Sequence, residues 1–216
     1  MRHRIRRGGA SAILPPVWLL SDPARLPDPT PLLRALPRGA AVLLRGVPPG
    51  VAARVGRLCR AWGLRLLVSG DGRLALRLRA GLHVPDRAAT RGLLPFLLSR
   101  RGALLSAAVH GRLGIARARR LGADVVLVSP TFPTASHPGA PALGPLRWAG
   151  LARAAGRPAV ALGGMSARAM RRLPARWAVG WAGIGVWKDC VLRDTVSQGS
   201  RVPASKPVAR AQSANA

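Results

Sequence analysis

Residues 112–129 read R-L-G-I-A-R-A-R-R-L-G-A-D-V-V-L-V-S: a helix-sized segment, a glycine stop and an apolar run in direct succession. Leu113, Ala116, Arg117 and Arg120 recur at spacings of three and four, which predicts a helix over 111–121 with its arginines towards one side. Gly122 is placed to end it, because glycine enters the left-handed conformation of a helix C-cap without a Cβ penalty. Ala123 and Asp124 then lead straight into a strand of valine and leucine.

The same unit recurs on both sides. Strand candidates lie at 12–20, 41–44, 65–69, 80–83, 103–106, 124–129, 159–162 and 182–186. Amphipathic helix candidates lie between them at 51–62, 86–100, 111–121, 144–155 and 166–172, with a short one at 71–79 and a Pro-rich one at 30–36. A strand followed each time by a helix requires parallel pairing. Either a closed barrel or an open doubly wound sheet would satisfy that. Eight strands favour the barrel, and no G-x-G-x-x-G follows the first strand, which weighs against a dinucleotide fold. The expectation is an α/β protein with a single (β/α)8 TIM barrel. It has a basic N-terminal arm at 1–11, a barrel at 12–196 whose last helix over 188–198 is poorly formed, and a polar, disordered tail at 197–216.

Composition narrows the partners. At 216 residues and 49% hydrophobic content the chain can build one sizeable core. Its apolar runs are too short to span a bilayer, and no apolar stretch follows the basic start, so a soluble cytoplasmic protein with no membrane partner is expected. Cys59 and Cys190 have no partner at metal-ligand spacing and are expected as reduced thiols. The charge is +28, from 35 Lys+Arg against 7 acids. The arginines are scattered and lack an interleaved aromatic platform, so drift towards GC-rich codons explains them better than a nucleic-acid partner. Non-specific attraction to polyanions would follow all the same. A homo-oligomer is compatible with the sequence.

In an α/β barrel, functional side chains gather beyond the C-terminal ends of the strands. His83, His110 and His137 fall there, after the fourth, fifth and sixth strands, whereas His3 sits in the basic arm. The loop over 129–144, S-P-T-F-P-T-A-S-H-P-G-A-P-A-L-G, is long for an α/β connection, and its Thr134, Ser136 and His137 can donate to an anion. Gly163 and Gly164 directly follow the seventh strand, before a helix whose expected N-cap is Ser166. Backbone N–H groups at such a point suit phosphate. Gly180, Gly183 and Gly185 surround the eighth strand, and barrels often bind phosphate with the loops after strands seven and eight.

Read together, V-H-G at 109–111, L-G-A-D at 121–124, S-P-T-F-P-T-A-S-H at 129–137, A-L-G-G-M at 161–165 and G-W-A-G-I-G-V at 180–186 resemble the thiamine phosphate synthase / TenI family. The resemblance covers roughly 12–187 and is looser towards the N-terminus, at W-L-L-S-D-P, L-L-R, L-A-L and G-L-H-V. It implies first a transferase of thiamine biosynthesis that joins hydroxymethylpyrimidine pyrophosphate to thiazole phosphate and releases pyrophosphate. Arg45 would then be the second-strand cation, Thr134 and Ser136 would bind phosphate or pyrophosphate, and Gly163 and Gly164 the thiazole phosphate. Lys188 stands near a family serine and could support that phosphate.

Departures bear on the metal. The family's Gln-x-Arg-x-Lys becomes Leu43, Arg45 and Val47; its Asn-Asp pair becomes Ser69-Gly70; its next acid falls at Ala88; and a lysine becomes His137. Mg2+ would have to be rebuilt on Asp71 and Asp86, and weak or absent binding by the free protein is expected, because this hard cation takes several oxygen ligands. The runner-up implied by the resemblance is a TenI-like thiazole tautomerase, which needs proton transfer and no Mg2+, with His110 as its acid/base. A non-catalytic barrel that binds a phosphorylated small molecule or a polyanion is the third reading.

Overall fold

The apolar runs pair in chain order around a closed barrel in the computed structural model, which describes residues 4–7, 10–86, 88–100, 102–134, 139, 141–185 and 187. Two short strands come first, β1 (Arg4–Arg7) and β2 (Ala10–Ile13), paired antiparallel as a separate two-stranded sheet. The barrel strands are β3 (Val17–Leu20), β4 (Ala41–Leu44), β5 (Arg65–Ser69), β6 (Gly81–Val84), β7 (Leu105–Val109), β8 (Val125–Val128), β9 (Ala159–Leu162) and β10 (Ala178–Gly183). Each pairs in parallel with the next, and β10 closes the ring on β3. The (β/α)8 expectation therefore stands.

The helices are α1 (Pro49–Ala61), α2 (Gly72–Arg77), α3 (Leu93–Ser99), α4 (Arg112–Arg120), α5 (Gly144–Ala155) and the single turn α6 (Ala167–Met170). A 3-10 helix, Thr30–Ala35, stands between β3 and β4. β4, β6, β7 and β8 are buried along their whole length, because helices cover one face and packed side chains fill the other. No helix among the described residues is long and apolar enough to cross a membrane. The Cys59 thiol is buried and uncombined, and burial pushes it up to about 12, which leaves it inert.

Four expectations shift. The candidate at 12–20 is two strands, since Pro15 and Pro16 lack the N–H groups that a continuous ladder needs. The last strand starts at Ala178, not at 182. Gly180 lies inside it because a Cβ there would come within 2.5 Å of the Pro16 carbonyl oxygen. The candidate helix at 86–100 is helical only from Leu93, since the chain before it packs against α2: a Cβ on Gly72 would come within 2.3 Å of the Gly92 carbonyl oxygen. In α4 the buried residues are Gly114, Ile115 and Ala118, while Leu113 is 87% exposed, so the residues whose spacing predicts the helix are not its buried face. Gly122 does close α4 with φ 59. Cys190, the proposed last helix over 188–198 and the tail lie outside the described residues.

Candidate functional site

Side chains alternate along a strand, so each barrel strand sends every second residue inward. At the C-terminal ends this alternation opens a cavity of about 130 Å³. Leu20, Leu43, Leu127 and Leu162 form its apolar wall, and Arg45, Ser69, His83, Asp86, His110 and Ser129 form its polar one.

Arg45 directly follows β4. Its Nε donates to the Ser21 carbonyl oxygen at 2.9 Å and its Nη2 to Asp22 Oδ2 at 3.2 Å, and its amide donates to Ser21 Oγ at 2.7 Å. Burial draws its pKa down, while the charge of Asp22 works against that. Burial would raise Asp22, but the Arg25 and Ala24 amides and the Arg25 and Arg45 charges outweigh it, so Asp22 is lowered overall.

His83 is buried on β6, with Nδ1 2.9 Å from Ser106 Oγ on β7. Register explains the pair, since His83 stands directly opposite Ser106. Burial, with the positive charges of Arg45, Arg117 and His110, pulls His83 down to about 3, so it is neutral near neutral pH. It can hydrogen-bond a ligand but cannot supply charge.

His110 stands one residue beyond β7, and its Nδ1 lies 2.8 Å from Asp86 Oδ2. Its side chain is 45% exposed, against 19% for Asp86. The other carboxylate oxygen, Oδ1, takes a hydrogen bond from Arg117 Nη2 on α4, and Arg117 Nη1 donates to the Asp86 main-chain oxygen at 2.5 Å. Burial alone would raise Asp86; the hydrogen bonds and charges of His110 and Arg117 more than cancel it and hold the carboxyl below its ordinary range. A carboxylate on Nδ1 selects the Nδ1–H tautomer and leaves Nε2 to exchange a proton with a ligand.

The two carboxylates considered for Mg2+ have different partners. Asp71 is the N-cap of α2 and accepts from the Leu74 amide at 2.9 Å. Asp86 is shared between His110 and Arg117. Among the described residues no three His, Cys, Asp or Glu side chains are grouped to hold a metal ion. A Mg2+ on either carboxylate would need further oxygen ligands from substrate or water.

The loop after β8 is tied to the end of β9. The Thr131 amide donates to the Leu162 carbonyl oxygen at 2.8 Å, as does Thr131 Oγ1 at 3.0 Å, and the Phe132 amide donates to the Gly163 carbonyl oxygen at 3.1 Å. Gly163 and Gly164 have φ of 94 and 60. A Cβ on Gly164 would lie 2.4 Å from the Pro133 carbonyl oxygen, and one on Gly163 would lie 3.2 Å from Pro130 Cα. The close approach these glycines permit is therefore to the loop itself. Ser166 caps α6 as expected, accepting from the Ala169 amide at 3.1 Å. Thr134 is half-buried just after Pro133. Ser136, His137 and Lys188 lie outside the described residues. The structure thus brings His83, Asp86, His110 and Arg45 to one cavity and sets Asp71 to another task. Sequence reasoning missed Asp22, Ser106 and Arg117; Arg117 in particular is one arginine among many in 35 basic residues, and only the fold singles it out.

Comparison with known proteins agrees with this architecture. A family model described as thiamine monophosphate synthase matches residues 50–186. A thiamine phosphate pyrophosphorylase from Pyrococcus furiosus superposes with a TM-score of 0.64 at 21% identity, over 86% of this chain and 96% of that one. A 2-keto-3-deoxy-6-phosphogluconate aldolase from Zymomonas mobilis superposes at 0.53 and 20% identity, over 79% of this chain and 82% of that one. The citrate synthase SbnG superposes at 0.55 and 12% identity, over 85% and 93%. At such identities the structural likeness carries the barrel and nothing finer.

Proposed function

Because this chain belongs to the thiamine monophosphate synthase family, we propose that it acts on a thiazole phosphate at the mouth of the barrel, and that its chemical step is proton transfer through His110. The observation that carries this reading is the 2.8 Å contact between His110 Nδ1 and Asp86 Oδ2 at the cavity wall. Asp86 fixes the ring and stabilises the imidazolium that forms when Nε2 takes a proton. The same Nε2 then returns the proton to a different ligand atom, which amounts to a tautomerisation. His83 stays neutral and contributes hydrogen bonding only. Arg45 supplies positive charge to the same cavity, suited to an anionic ligand. The ends of β9 and β10 are the proposed phosphate end, on the usual place of phosphate in such barrels.

One observation favours the synthase reaction as a second reading. Arg45 follows the second barrel strand and reaches the cavity, where a cation would stabilise departing pyrophosphate. That reaction also calls for Mg2+, for which Asp71 and Asp86 are the candidate carboxylates, each already engaged by protein groups.

Turnover assays with purified protein separate the readings. Thiazole phosphate is supplied as the unfavoured tautomer in one arm. In the other it is supplied with hydroxymethylpyrimidine pyrophosphate, and each arm is run with Mg2+ and with chelator. Metal-independent tautomerisation lost in His110→Gln is the expected result. Mg2+-dependent pyrophosphate release, with no tautomerisation, would establish the synthase instead.

A further inference from the structure

We propose that Arg117 is a positioning residue for the site: its guanidinium fixes the rotamer of Asp86 so that one carboxylate oxygen is left aimed at His110. The proposal rests on the reading of His110 given above, and its test is built to separate the two.

Among the described residues the guanidinium makes three hydrogen bonds, two to Asp86 and one to the Ala108 main chain. Nη2 donates to Asp86 Oδ1, leaving Oδ2 for His110. Nη1 donates to the Asp86 main-chain oxygen at 2.5 Å, so the backbone that carries the carboxylate is held together with its side chain. Nη2 also reaches the Ala108 carbonyl oxygen at 3.3 Å, two residues before His110 on β7. One planar group thus ties the segment after β6 to the end of β7, the two pieces of chain whose separation sets the distance between His110 and Asp86. Arg117 is only 21% exposed, and its Nε is buried with no acceptor among the described residues, so the terminal nitrogens carry every contact.

The approach of α4 makes this reach available. Gly114 lies one turn before Arg117, and a Cβ there would stand 3.0 Å from the Ala108 carbonyl oxygen, 3.0 Å from Val109 Cα and 3.5 Å from Asp86 Oδ1. The missing side chain lets the first turn of α4 lie against the end of β7. Arg117 then projects to Asp86 from the helix that begins two residues after His110. An ammonium has no rigid planar fork and cannot hold a carboxylate and two main-chain oxygens in one fixed geometry. Substitution by lysine is therefore expected to keep the charge and lose part of the aim.

The test uses the full-length chain with nitrogen-15 in its histidine rings and identifies the His110 signals by their absence from His110→Gln. In the parent protein the neutral form of His110 is expected to be mainly the Nδ1–H tautomer. In Arg117→Met that tautomer loses its dominance, kcat on the thiazole substrate falls about 10-fold or more, the scale of losing an orienting partner, and KM stays within about twofold. Arg117→Lys recovers part of both. Should Arg117→Met melt below the assay temperature, Gly114→Ala gives a milder displacement of α4, with the same two readouts expected to move the same way by less. A folded Arg117→Met protein with an unchanged His110 tautomer overturns the proposal, as does a loss confined to KM. A parent protein without tautomerase turnover sinks the functional reading alone, and the ring spectra then decide on Arg117 by themselves.

Discussion

Asp86, just after β6, and Asp124, just before β8, are both carboxylates paired with arginine, and their contacts reach opposite ends of the strand between, β7. At the N-terminal end Asp124 is 7% exposed; its Oδ2 accepts from the Leu105 amide at 2.8 Å and lies 3.6 Å from Arg100 Nη1. There the carboxylate holds the first residue of β7 to the start of β8. At the C-terminal end Asp86 makes the same kind of pair with Arg117, yet its second oxygen goes to a half-exposed histidine that faces a cavity. One acid is spent on the frame and the other on a group that can exchange a proton with a ligand. The difference lies in the third group: a buried main-chain amide at Asp124, and a half-exposed histidine at Asp86.

The comparison breaks most sharply at His110. In His110→Gln the loss of kcat should be roughly 10²–10⁴-fold, while stability moves within about 0.5 kcal/mol, because a half-exposed side chain adds little to packing. Turnover and a urea unfolding curve on the same preparation check both halves. Unfolding of the variant instead would put Asp86 and His110 in the frame alongside Asp124.

Asp124→Ala should do the reverse. It leaves the Leu105 amide and Arg100 without their carboxylate in a buried place and should cost about 3 kcal/mol. Turnover per folded molecule should hold, measured after correction for the folded fraction.

Gly164 tests the frame at the other side of the mouth. Gly164→Ala places a Cβ within 2.4 Å of the Pro133 carbonyl oxygen and forces a side chain onto φ 60. The expected loss is about 2 kcal/mol. A fall in affinity for inorganic phosphate by calorimetry, with stability unchanged, would move Gly164 from the frame to the ligand.

A further effect concerns pH. His83 has a folded value of about 3 against an ordinary 6.5. Between those values the unfolded chain binds a proton that the folded chain refuses. The stability tied to neutral His83 is therefore complete above about pH 6.5 and is lost as pH falls towards 3, by at most about 1.4 kcal/mol per pH unit. Asp22, Asp28 and Asp86, all lowered, add losses of the same direction only below their ordinary 3.8. Urea unfolding between pH 7 and 4.5 should thus show a slope that His83→Gln flattens. An equal slope in the variant would assign it to other groups.

Much of the frame was legible in the chain alone. The alternation of short apolar runs with helix-length segments contains the barrel, because a strand followed by a helix returns parallel to its predecessor and enough such steps close a ring. Gly122 as a helix stop and Ser166 as an N-cap were equally readable, since each depends on one residue and its immediate neighbours. His110 could be marked from its place after a strand and Asp86 from the family resemblance, but not the two as a pair. Their contact spans 24 residues, and the loop positions that set it depend on how β6 and β7 align. Asp71 is a metal candidate only through the family resemblance, whereas locally it caps a helix. Arg117 was invisible among so many arginines until α4 docked, with Gly114 against the end of β7. Local sequence determined which segments are strands and helices because those preferences act within a few residues. Tertiary structure alone decided which carboxylate meets which cation, because such meetings depend on register and helix approach between segments far apart in the chain.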